Sequence, residues 1–278
     1  MKIVKYSGEA VNFDKGKLTN SIIRAGASPE SAADIVQSIE SFLYPGITTR
    51  QIHKKAKQLL KRNSCAQAAR YELRVGLQLL GPAGFFFEKF LARIFEKQGY
   101  ECRTNIFLAG KCVAHEIDIA LKKGTVITMA ECKFHAARDK KSDVKVPLYV
   151  LSRFNDLKDV LQPIFSGSDT VTQCLIVTNT RFTTDASTFA LCAGLELLSW
   201  DMPPGNAIKD MVDRGNDYPI TCLTTITLIE KEKLMVSGVI LVRELLDKLD
   251  TIERIGISPT RKNRIAREAN ELINNITI

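Results

Sequence analysis

The amino-acid sequence predicts a multidomain α+β protein: a small hairpin with a helical bundle, a central mixed sheet covered by helices on both faces, and a helical C-terminal stretch. Three observations carry that prediction. Apolar residues recur at helical spacing through most of residues 15–97, then alternate in "ECRTNIFL", "CVAHEIDIAL" and "TVITMAECKF". A Pro-Gly-Asn break, "PPGN", separates the alternating region from a third, helical one. The 278 residues give room for one to three domains, and the composition shifts place boundaries at 1–81, 82–203 and 204–278.

In chain order, "KIVKYSG" and "AVNFD" read as short strands turning at Gly8-Glu9. "KGKLTNSIIRAGA" carries Leu18, Ile22 and Ile23 on one helical face. "SPESAADIVQSIESFLY" opens with Ser28 as cap and Pro29 at the first helical position. A third helix, "TTRQIHKKAKQLLKRN", follows Gly46 behind a Thr cap, and "CAQAARYELRVGLQLLG" is a fourth, stopped at Gly81. In the centre, "GFFFEKFLARIFEKQGY" is an amphipathic helix before three alternating strands joined by "AGK" and a Lys123-Gly124 turn. "SDVKVPLYVLSRFNDLKDVLQPIF" is expected as helix, "TQCLIVTN" as a buried strand, "TDASTFALCAG" as helix and "LELLSW" as the last strand. Beyond the break, "LVRELLDKL" is the clearest helix.

The charge is uneven. Thirteen of the Lys and Arg lie in residues 1–80 against six acids, so nearly all of the net +8 sits there. Such a field favours a polyanion, nucleic acid or a nucleotide polyphosphate, over a solvated basic face. Seven cysteines without CxxC spacing read as reduced thiols, and a zinc site from Cys112, His115, Cys132 and His135 lacks paired spacing. "MKIVKYSGEAVNF" has no signal-peptide core, and no apolar run reaches the roughly 18–20 residues of a membrane span, so a cytoplasmic location is expected.

The chemistry concentrates in "HEIDIALKKGTVITMAECKFH". Alternation puts Glu131 and Lys133 on one face of a strand. The Lys-Gly turn brings Asp118, on the preceding strand, beside Glu131. Two such carboxylates repel unless a cation intervenes, and a divalent metal with oxygen ligands resolves the conflict. Lys133 would then add positive charge beside a metal-bound water, an arrangement suited to phosphodiester hydrolysis. A satisfied Glu131–Lys133 ion pair at a strand end is the plainer alternative.

From "GFFFEKFLARIFEKQGY" through "HEIDIAL" and "AECKFH" to "LELLSW", the chain resembles the PD-(D/E)xK nucleases, in particular Mrr-like restriction endonucleases. The resemblance implies a restriction-endonuclease-like α/β/α sandwich with a mixed sheet. It also implies Mg²⁺ or Mn²⁺ held by Asp118 and Glu131, Lys133 orienting the attacking water, and Glu88 as an additional metal contact. The proline that often precedes the aspartate is absent, and "HEID" replaces a glycine-rich stretch. His115 and Glu116 either assist the metal or only end a strand. His135 reads as a strand-end residue and Cys132 as core.

"VKYSGEAVNFDKGKLTNSI", "GITTRQIHKKAKQLL" and "AARYEL" resemble the ATP-cone domain, which binds ATP or dATP in ribonucleotide reductases and related repressors. The opening motif appears as Val4-Lys5-Tyr6-Ser7-Gly8, with Tyr6 where relatives carry arginine. The later pair appears as Lys17-Leu18, and Thr49 and His53 match helix positions that line the nucleotide pocket. On physical grounds alone, Lys5 and Lys17 can converge on a polyphosphate near a helix N-terminus. No Walker motif occurs, so the domain reads as a sensor.

"LDTIERIGISPTRKNRIAREANEL" resembles half of a helix-hairpin-helix motif, with Ile255-Gly256-Ile257 as hairpin and Arg261, Lys262, Arg264 and Arg267 on the next helix. A plain helical capping or dimerisation segment fits equally well. The combined expectation is a metal-dependent DNA endonuclease regulated by ATP or dATP, assembled as a homo-dimer or homo-tetramer, in a restriction or anti-phage role. The alternatives are a non-catalytic nucleotide-responsive DNA-binding regulator, and a junction resolvase or RNA nuclease using the same site.

Overall fold

The computed structural model describes residues 1–5, 7–81 and 84–274. Tyr6, and with it the expected loss of one phosphate contact, lies outside the described residues.

Strands β1 (Lys2–Val4) and β2 (Ala10–Asn12) pair antiparallel, with Ile3 opposite Val11. Helix α1 (Lys15–Arg24) is capped by the Asp14 side chain, and α2 (Pro29–Glu40) by Ser28 with proline at its first turn. Helix α3 (Thr49–Asn63) starts at a reciprocal capping box in which Thr48 and Gln51 satisfy each other's backbone N–H. The expected fourth helix is two, α4 (Cys65–Tyr71) and α5 (Leu73–Gln78), broken at Glu72, whose carboxylate is drawn to α3. Ile22, Ile35, Val36, Ile39, Ile47 and Leu60 fill the core between these helices.

The middle of the chain begins with α6 (Phe85–Lys97), then β3 (Glu101–Ala109), β4 (Ala114–Lys123) and β5 (Val126–Lys133). A two-residue strand β6 (Lys141–Ser142) precedes α7 (Lys145–Leu157). Then come β7 (Gln173–Thr178), β8 (Arg181–Phe182), α8 (Thr184–Cys192), β9 (Glu196–Leu198) and α9 (Ile208–Gly215). The sheet order is β3-β4-β5-β7-β9. The β3–β4 and β4–β5 pairs are antiparallel, and β7 and β9 add in parallel, which makes the mixed sheet the sequence predicts. Helices α7 and α8 bury Val150, Leu157, Ala186 and Ala190 against Met129, Cys174 and Ile176, while α6 packs on β3 and β4.

Helix α7 stops at Leu157, short of the sequence expectation. Asp159 adopts a left-handed backbone, and residues 162–169 fold into a loop pinned by Asp169. That carboxylate accepts from the backbone N–H groups of Phe165 and Ser166 and from the Ser166 hydroxyl, which holds it well below the usual range.

The last segment holds a short turn at Ile220–Cys222, then α10 (Leu228–Val236), α11 (Val242–Asp247), α12 (Asp250–Arg254) and α13 (Pro259–Asn274). It packs with the first: α13 lies against α4, and the Thr221 hydroxyl donates to the Gly76 carbonyl at 2.8 Å. A Cβ at Gly76 would meet Cys222 Sγ at 2.6 Å, so this close approach requires glycine. The three stretches of the chain thus group into two compact units, residues 1–77 with 216–278, and residues 78–215. No helix among the described residues is long and apolar enough to cross a membrane.

Candidate active site

The β4–β5 ladder is held by the tight turn, with Lys123 opposite Val126, and runs to the Ile119–Ala130 pair. The next opposed residues are Asp118 and Glu131, and there the backbone pairing ends. The Cys132 N–H is taken at 2.6 Å by Asp118 Oδ2 rather than by a carbonyl of β4. Asn105 stands across from Asp118 on β3 in a left-handed conformation, φ 54°. Ile117 and Ala120, three residues apart, both join the core beneath α7, where strict alternation would place them on opposite faces. The sheet is therefore locally distorted around Asp118, a common device for re-aiming side chains next to a site.

Glu131 is 4% exposed, and each of its oxygens has a cation. Lys133 Nζ lies 2.8 Å from Oε1, and Arg153 Nη1 donates to Oε2 at 2.5 Å. Burial pushes the Asp118 carboxyl up to about 6, with the neighbouring Glu131 charge adding to it and the Cys132 N–H opposing. Glu88, on α6, is pushed up to about 7, first by burial and then by Asp118, and accepts a long 3.4 Å hydrogen bond from Asn105 Nδ2. Asp118, Glu131, Lys133 and Glu88 thus share one electrostatic neighbourhood.

Among the described residues no three His, Cys, Asp or Glu side chains converge as a ready metal cage. The chemistry of the donor set still fits a hard divalent cation. Asp118 and Glu88, whose protons are held up by burial and by neighbouring acidic charge, gain most from a positive ion, and such ions complete their shell with water or phosphate oxygens.

Arg153 is absent from the sequence reading. It lies on the buried stripe of α7 with Pro147, Val150 and Leu157. Its other donor, Nη2, reaches the Glu116 carbonyl, and its guanidinium carbon is 5.4 Å from the centre of the exposed Tyr149 ring. The signal was a charged residue at a core position of an amphipathic helix, which has to be paired. His115 is 2.8 Å from Asp156 Oδ2, and this contact, with the Cys112 and Val113 N–H groups, holds Asp156 at about 2 despite opposing desolvation. It thus braces the β3–β4 hairpin. Glu116 presents its carbonyl to Arg153 and its side chain to solvent. His135 is tied to Asn179 through its backbone and to Ser142 through Nε2. Cys132 is half-buried.

In the other unit, Val4 donates to the Ile47 carbonyl at 2.9 Å and bridges Thr48, which sets the end of β1 beside the start of α3, where Thr49 opens the first turn. Lys5 is paired with Glu9, and Lys17 with Asp14 on the first turn of α1. Leu18 is buried in the core. His53 stacks on Tyr71, with ring centres 4.5 Å apart, and contacts Glu72 at 2.7 Å. Toward the C-terminus, Arg261 forks onto Glu230 and Lys262 pairs with Glu253, which leaves Arg264 and Arg267 as the exposed basic pair on α13.

The regions that hold these residues match known family models. A family model for ATP-cone domains matches residues 1–75, one for restriction endonucleases of the Mrr catalytic type matches residues 82–202, and one described as AF1548-like, C-terminal, matches residues 218–273. The chain therefore carries a restriction-endonuclease domain behind an ATP-cone domain. It belongs to the same family as an uncharacterized protein of Archaeoglobus fulgidus, with which it is 30% identical over 187 residues, 66% of this chain and 99% of that protein. A crystal structure of the protein of unknown function AF1548 superposes with a TM-score of 0.56 at 29% identity, covering 68% of this chain and 97% of the other. The restriction endonuclease MspJI, solved with a 27-mer oligonucleotide, aligns with a TM-score of 0.36 at 13% identity, over 72% of this chain and 39% of that one.

Proposed function

We propose that this protein is a divalent-metal-dependent endonuclease that hydrolyses DNA phosphodiester bonds under the control of ATP or dATP bound to its N-terminal domain. The observation that carries the reading is the strand fork, where the ladder gives way beside Asp118 and Glu131, whose charges act on each other, with Lys133 alongside.

Asp118 and Glu131 would hold the ion, with Glu88 as a further contact. A bound divalent ion supplies an activated water and charge neutralisation at the phosphate. The remaining work falls to the chain. Lys133, a third exposed at the rim of the sheet, brings an ammonium to the negative charge that builds on the scissile phosphate. Tyr149, 56% exposed beside Lys133 and Arg153, offers a ring face for a base or sugar. Nucleotide phosphates would meet Lys5 and the N-terminus of α3, where Val4 lies against Thr48, with Lys17 adding charge. His53 would join only by leaving Glu72. One fork cuts one strand, so cutting both strands calls for a dimer or tetramer. Cysteines that form no disulfide among the described residues would suit a reducing cytoplasm, and a restriction or defence role would suit an endonuclease domain of this type.

Incubation of the full chain with supercoiled plasmid tests this, with Mg²⁺ or Mn²⁺ against chelator and with or without ATP or dATP. Nicked or linear product that requires metal and responds to nucleotide is expected. A plasmid left intact in every condition contradicts the reading, and cleavage that persists in chelator contradicts the metal.

A further inference from the structure

We propose that Arg153 is the positioning residue of this site: it anchors the Oε2 side of Glu131 to the end of β4, so that Glu131 presents a fixed carboxylate to a divalent ion. The inference rests on the metal-dependent reading above.

Two cations serve one carboxylate, which is more than neutralisation needs, and they differ in kind. The Lys133 side chain is 34% exposed and meets Glu131 through one contact, to Oε1, so it can be exchanged for another partner. The Arg153 side chain is 10% exposed and two-pronged, with Nη1 on Glu131 and Nη2 on the Glu116 carbonyl. Glu116 is two residues from Asp118. The guanidinium therefore clamps β4 to β5 where the backbone rungs stop, and replaces them at the point where both acidic residues emerge. Its Nε has no hydrogen-bond partner among the described residues, so the side chain is placed by the two Nη contacts and by the ring of Tyr149 one turn earlier. A lysine at 153 would keep the charge but lose the planar fork. Partners behind a ligating carboxylate set its orientation, and their removal typically weakens metal affinity about 10- to 100-fold.

The test is Mn²⁺ binding to the full chain by titration calorimetry, without DNA, for wild type, Arg153→Met, Arg153→Lys and Glu131→Gln. Thermal unfolding in chelator runs alongside. Wild type is expected to bind, Glu131→Gln to lose binding, and both Arg153 variants to bind about tenfold or more weakly. A purely structural arginine would lower the unfolding temperature of the metal-free variants and leave their Mn²⁺ affinity within twofold of wild type. That result overturns the proposal, as does tighter binding, which would make Arg153 a competitor of the ion. Should Arg153→Met fail to fold, Arg153→Lys carries the comparison. Absence of Mn²⁺ binding by wild type overturns the metal reading itself, whereas unchanged affinity in the variants beside a binding wild type overturns the role of Arg153 alone.

Discussion

Replacing Glu72 by glutamine probes how the N-terminal unit is held together and whether His53 is available to a ligand. Burial pushes the Glu72 carboxyl up, but hydrogen bonds from His53 and Lys57 more than offset it and hold it at about 2, against an ordinary 4.5. The side chain is only 12% exposed, so solvent screens the shift little. A shift of that size corresponds to about 3 kcal/mol of stability at neutral pH. Because the folded value lies below the unfolded one, the contribution is complete well above pH 4.5 and is lost as the pH falls towards 2. By pH 3 about 2 kcal/mol of it is gone. Glutamine can keep hydrogen bonds to both partners but not the charge, so Glu72→Gln should cost about 1–3 kcal/mol at pH 7. The cost should shrink steadily below pH 4.5. Urea unfolding of wild type and variant at a series of pH values measures this. A difference that stays constant from pH 7 to pH 3, or no difference at pH 7, would refute the argued role of the Glu72 charge.

Asn105→Gly should leave stability within about 0.5 kcal/mol of wild type, whereas Asn105→Val should cost about 1–2 kcal/mol, because a branched side chain resists φ 54°. Urea midpoints that rank the two variants the other way would contradict the distorted strand. A helical Gly→Ala change ordinarily stabilises, but Gly76→Ala should destabilise by about 1–3 kcal/mol, since its Cβ runs into Cys222. A raised thermal midpoint would deny the close packing of α5 on the C-terminal segment. Lys5→Ala combined with Lys17→Ala should weaken ATP or dATP binding at least tenfold by calorimetry and remove the nucleotide response of cleavage, while metal affinity stays unchanged; unaltered nucleotide binding would remove both lysines from the pocket.

The strand fork was legible because it is local. Two alternating segments joined by Lys123-Gly124 leave one register, and that register sets Asp118 across from Glu131. Helix caps were legible for the same reason, Ser28-Pro29 and the threonine before α3 being short-range chemistry. What escaped was long-range. Arg153 sits inside an apolar helical stripe, and periodicity alone has no means of showing that Glu131, twenty-two residues earlier, neutralises it. Asn105 reads as an ordinary strand position, since its left-handed backbone answers to the β4 distortion beside it. The break at Glu72 coincides with a carboxylate paired to His53 and Lys57 on another helix, and α7 ends just before a left-handed Asp159, neither of which periodicity shows. The packing of the C-terminal segment on the first helices rests on contacts such as α13 against α4 and the approach of Gly76 to Cys222, the latter across 146 positions.

A fork of Asp118, Glu131 and Lys133 that cleaves phosphodiesters should lose its activity with any one of the three side chains. Single-turnover cleavage of an end-labelled DNA duplex in Mn²⁺, by wild type, Asp118→Asn and Lys133→Met, measures this. Each variant is expected to retain the wild-type circular dichroism spectrum and to lose at least about 100-fold in rate, as removal of a charge-stabilising group does. Folded variants that cut the duplex at near wild-type rates would contradict it.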